Sequence, residues 1–102
     1  MPKLALHDFM NQRIYMLKQL HSVLDTSGIE SHEQFRDIMS ATFDFCGLEI
    51  KSIAGDLGYN VSSVHRWAAG VTTPHKSLWP QIALSIKKIA QSEIDIIKSS
   101  TH

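Results

Sequence analysis

The sequence predicts an all-α protein. Three observations carry that prediction. No alternation of apolar and polar residues persists long enough for a strand. Apolar residues recur at spacings of three and four. Glycines and small polar residues fall where helices would stop and start. A length of 102 residues with 43% hydrophobic content bounds one small globular domain.

The first helix is expected near residues 4–24. Leu6, Met10, Leu17, Leu20 and Leu24 follow helical spacing, Phe9 and Ile14 widen the stripe, and Arg13 interrupts it. Thr26-Ser27-Gly28-Ile29 ends it, with Gly28 as the flexible point. Ser31-His32-Glu33-Gln34 fits a capping box, in which the cap Ser and the Gln three residues on satisfy each other's backbone N–H. Phe35, Ile38, Met39 and Thr42 then form one face of a second helix near 32–45, stopped by Gly47. Ile50, Ile53, Ala54 and Leu57 mark a short third helix ended by Gly58. Asn60 reads as an N-cap. After it, Val61, Val64, Trp67 and Ala68 fit a fourth helix ended by Gly70. The VTTPHK stretch is a loop. Ser77 caps a fifth helix with Pro80 in its first turn, where the missing N–H costs nothing. Ile82, Ile86, Ile89, Ala90 and Ile97 carry that helix to about residue 98. There is no repeat, low-complexity tract or linker.

Ten basic and ten acidic residues cancel, but they are unevenly placed. Residues 1–46 hold four basic and six acidic side chains, and residues 47–102 hold six and four. Between Asp56 and Glu93 there is no carboxylate, while Arg66, Lys76, Lys87 and Lys88 lie there with His65 and His75. A one-sided basic surface suits a polyanion such as nucleic acid. No apolar run approaches the ~18 residues of a membrane span. The start, MPKLALHDFM, lacks a secretory pattern. The lone Cys46 has no internal disulfide partner and reads as a small buried hydrophobe in a reducing compartment. A cytoplasmic protein is expected.

The two short helices are joined only by Gly58-Tyr59-Asn60. So tight a connection forces a steep crossing and an exposed second helix. Ala54 is small where the helices touch, Gly58 can take the left-handed conformation that ends the first, and Val64 and Trp67 turn inward to hold the second. This is the logic of a helix-turn-helix. The stretch IKSIAGDLGYNVSSVHRWAAGVTTP resembles the helix-turn-helix of lambda repressor-like, Xre/Cro-type regulators. The resemblance runs ungapped through Ile53-Ala54, Leu57-Gly58, Ser62, Val64, Arg66, Trp67, Gly70 and Pro74, with Gly47-Leu48 as the lead-in. Its specific part spans residues 47–74, and the flanking segments fit by pattern. Glu49 stands where the family usually has a Thr or Asn cap, Ile50 where a phosphate-contacting polar residue is common, and Val61 where many relatives read a base.

The resemblance implies an all-α, five-helix lambda repressor-like fold whose helix-turn-helix DNA-binding domain spans residues 31–102. An extra N-terminal helical extension, residues 1–30, is a candidate dimerisation element. It also implies that the second motif helix enters the major groove of double-stranded DNA. Val61, Ser62 and Arg66 would then face DNA, with Ser63 and His65 nearby. Arg66 suits bidentate pairing with guanine, or else a phosphate contact or a solvated surface charge. Val61 suits a thymine methyl, and Ser62 a base or a phosphate. Asn60 is first a cap and second a phosphate contact. Lys51, Thr72, Thr73, His75 and Lys76 flank the groove as candidate phosphate contacts. Trp67 reads as core. One such motif makes few base contacts, so a homodimer is expected, with the first or fifth helix supplying the twofold interface.

Catalysis is not expected. The six histidines lack metal-ligand spacing. Ser85 and Lys88 match S-x-x-K, but mid-helix and without companion motifs. No cofactor is implied. The reading is a sequence-specific DNA-binding repressor of bacterial or phage origin, with a regulatory protein as candidate partner. The alternative is a protein-interaction module or antitoxin with weak or secondary DNA binding.

Overall fold

The computed structural model describes the backbone of residues 6–100 and the side chains of residues 8–100. Leu6, the first member of the expected apolar stripe, therefore lies outside the described side chains. Five α-helices run in order: α1 (Leu6–Thr26), α2 (His32–Ser40), α3 (Ile50–Leu57), α4 (Val61–Ala68) and α5 (Trp79–Ser100). A π-helical turn, Ala41–Phe45, extends α2, and a 3-10 turn, Lys76–Leu78, precedes α5. The all-α expectation holds, since no strand occurs among the described residues.

The two long helices, α1 and α5, pack along each other and set the frame. Leu17, Leu20 and Leu24 of α1 belong to the same buried cluster as Ile86, Ala90, Ile94 and Ile97 of α5. Part of the apolar surface expected to serve a dimer is thus closed within one chain, while Phe9 of α1 and Leu84 and Ile96 of α5 stay exposed. Arg13, which breaks the α1 stripe, reaches α5 and pairs with Glu93 at 3.4 Å. Lys87 ties α5 back to Asp25 of α1 at 3.3 Å. Lys88 ties it to Asp56 of α3.

The starts and stops of the helices differ from expectation in instructive ways. Ser31 caps α2, accepting from Gln34 N at 3.1 Å. The return bond is shifted by one residue, because Gln34 Oε1 accepts from Glu30 N at 2.8 Å rather than from Ser31. Ser77 does not cap α5. Instead His75 Nδ1 accepts from Ser77 N at 3.1 Å and caps the 3-10 turn, so α5 begins at Trp79. The α2 segment does not stay α-helical to residue 45. Thr42 Oγ1 donates to the Ile38 carbonyl at 2.7 Å, a back-bond of the kind that loosens a helical turn. The next turn is wider, with Cys46 N donating to Ala41 O at 2.8 Å. At α-helical spacing residue 45 would return to the inner face seven positions after buried Ile38. The wider turn leaves Phe45 in solvent instead, 69% exposed.

Cys46 is buried, as expected, and that burial pushes its thiol above the usual value against the opposing pull of Arg13. Two outcomes check this frame. Leu17→Ala, at a fully buried position, is expected to lower stability by about 2–5 kcal/mol in chemical denaturation. A near-zero effect would show that α1 is not part of the core. Lys88 holds the Asp56 carboxyl below the ordinary aspartate value, so the contact stabilises above that value and is lost as pH falls through the depressed one. Asp56→Asn should therefore lower the melting temperature near neutral pH, with the gap to wild type closing in strong acid. An equal gap at both pH values would contradict that origin.

Candidate nucleic-acid interface

The turn between α3 and α4 is built by Gly58, which ends α3 at φ +76°, a left-handed value that a side chain resists. Tyr59 follows and sets its ring edge-on against Trp67, with centroids 5.3 Å apart. Asn60 is extended and stands before the first turn of α4, but its side chain makes no capping bond. Its backbone carbonyl accepts from Ser63 N at 3.0 Å and Val64 N at 3.3 Å instead. The expected capping role of Asn60 is therefore taken by its main chain, and its exposed side-chain amide remains available.

Helical spacing then divides α4 cleanly. Val64 and Trp67, three residues apart, are sealed in the core. Ser62 and Arg66, four apart, share the outward side with His65 and with Val61, which is 49% exposed. Ser63 sits half-buried on the flank.

The chain reverses at Gly70 (φ +75°) and folds back on α4, with Val71 N donating to the Arg66 carbonyl at 2.9 Å. The far end of this loop is held by Trp79. Its Nε1 donates to Pro74 O at 3.2 Å, its ring stacks on Phe35 at 6.0 Å, and His32 meets it edge-on. These restraints shape a cleft of about 400 Å³ beside α4. It brings together Ser63, Arg66, Thr72 and His75 of the expected contacts, with Tyr59 and Ser77 beside them. The bonds to His75 Nδ1 leave Nε2 as the ring nitrogen without a partner among the described residues.

The remaining expected contacts fall elsewhere. His65 and Lys51 line a separate cleft on the other flank of α4, together with Asp44 and Glu49. There Lys51 Nζ lies 3.2 Å from Glu49, so a local carboxylate competes for it. Thr73 and Lys76 are exposed but join neither cleft. Of the four strong cations in the carboxylate-free stretch, Lys87 and Lys88 are drawn into ion pairs on α5. Arg66 and Lys76 form no ion pair among the described residues. Of these two, Arg66 lies in the cleft beside α4. No group of three or more metal-ligating side chains occurs among the described residues. Of the S-x-x-K pair, Ser85 is buried and the largely exposed Lys88 is ion-paired with Asp56.

Sequence reasoning missed Tyr59, Ser77 and Trp79. The signal for Trp79 was its place directly before Pro80, where a helix begins. Trp79→Phe keeps the ring on Phe35 but removes the bond to Pro74. It should cost about 1 kcal/mol and speed amide exchange at Val71 and Thr72. Unchanged exchange there would mean that the loop is held by other contacts. No family model, curated protein or solved structure matches the chain.

Proposed function

We propose that the protein is a sequence-specific DNA-binding transcriptional regulator, a dimeric repressor of bacterial or phage origin, in which α3 and α4 act as a helix-turn-helix. The observation that carries the reading is the division of α4. Its inner side is locked by Val64 and Trp67, and its outer side offers Val61, Ser62, His65 and Arg66 to solvent. A helix held this way fits a major groove, with base edges read from its outer side chains. Ser63, Thr72 and His75 flank Arg66 as phosphate contacts, and Asn60, Thr73 and Lys76 supplement them. Lys51 contributes less than its charge suggests, because Glu49 lies beside it. Two copies would read half-sites about 10 base pairs apart. No helix of the described residues is long and apolar enough to cross a membrane. The reading places the protein in the cytoplasm and gives it no catalytic step or cofactor.

A second reading, a protein-interaction module or antitoxin with secondary DNA binding, is favoured by the large exposed apolar side chains of α1 and the π-helical turn. Binding sites selected from random duplex DNA separate the two. On a selected site, Arg66→Ala should weaken binding by about 1–3 kcal/mol in a mobility-shift titration. Wild-type affinity should also fall steeply as salt rises. Failure to enrich any duplex would remove the regulatory reading, and an unchanged Arg66→Ala affinity would remove Arg66 from the readout.

A further inference from the structure

The opposite feature of the molecule is apolar. A groove of about 350 Å³ runs between α1 and the segment formed by α2 and its π-helical turn. Leu20 and Ile38, both buried, form its floor, and Tyr15, Val23 and Phe45 rise at its edges. Tyr15 is 63% exposed and Val23 45%. Phe45 owes its exposure to the π-helical turn, so the backbone departs from regular geometry at the residue that completes the rim. None of the lining residues belongs to α4 or to the loop after it.

We propose that this groove docks an amphipathic helix of a partner protein, with apolar residues on one stripe and Lys or Arg along one flank. Length and charge support that occupant. Tyr15 to Val23 spans eight residues of helix, about 12 Å, close to the roughly 10.5 Å between anchors at i and i+7 of a docked helix. Among the described residues, Asp37 is the one charged residue lining the groove, and it forms no ion pair. Glu33 lies exposed one turn before Asp37 on α2, with the exposed Arg36 between them, so the two carboxylates leave a net negative charge there. This edge is negative and its apolar neighbour is uncharged, so a cationic flank completes it. A second copy docked through the same face would bring more carboxylate and no lining cation to meet it.

The proposal is independent of the DNA reading and is tested without duplex. A phage library of helices on a stable scaffold, randomised over two turns, is selected against the full chain. Selected helices should converge on apolar residues at i, i+3 or i+4, and i+7, with Lys or Arg on one flank. Tyr15→Ser with Phe45→Ser should weaken their binding at least about tenfold while far-UV circular dichroism stays unchanged. Asp37→Lys, at an exposed helical position, should abolish the preference for a basic flank. Three results overturn the proposal. The first is no enrichment. The second is selected helices indifferent to the Tyr15/Phe45 pair or to Asp37→Lys. The third is a dimer in sedimentation velocity that Phe45→Ser converts to monomer, which would make the occupant a second copy.

Discussion

An eight-residue helix does not hold its shape in water, and α4 has eight residues. Its structure depends on Val64 and Trp67 being sealed in the core, with Tyr59 braced on the edge of Trp67. That one constraint has two effects. It fixes the helix, and through helical geometry it sends Ser62 and Arg66 outward. The loop after α4 inherits the same order, because Val71 bonds the Arg66 carbonyl and Trp79 ties Pro74 to the core beside Phe35. Rigid placement of exposed polar side chains on short elements is what a recognition surface requires.

The distribution of charge follows from the packing of α5. Lys87 and Lys88 are adjacent in sequence and reach to opposite neighbours, one to α1 and one to α3. Such partly exposed pairs add little stability. Their consequence is spatial. Two of the cations that make the C-terminal half basic are engaged on α5, and the strong cation in the cleft beside α4 is Arg66.

The π-helical turn shapes the other side of the molecule. Thr42 is fully buried, and its hydroxyl satisfies itself on the Ile38 carbonyl. The widened turn that follows places Cys46 inside and Phe45 outside. A small polar residue in the core thereby decides where a large aromatic emerges, and so gives the α1–α2 groove its rim.

The sequence by itself determined the helices and their inward faces. Leu17, Phe35, Ile53, Val64 and Ile86 were legible because periodicity is a local property, and four left-handed glycines, Gly28, Gly47, Gly58 and Gly70, marked the ends of four helical segments. It also determined the outward face of α4, once Val64 and Trp67 were assigned inward. Only the tertiary structure decided how these faces combine. The leucines of α1 close on α5, Lys51 has Glu49 beside it, and His65 parts from Arg66 onto the other flank. Asn60 yields its cap to its own backbone, and Trp79 anchors a loop that carries no apolar pattern. Each of these depends on a partner chosen by packing or by local bonding geometry. Spacing along the chain reports which way a side chain points, but not what stands opposite it.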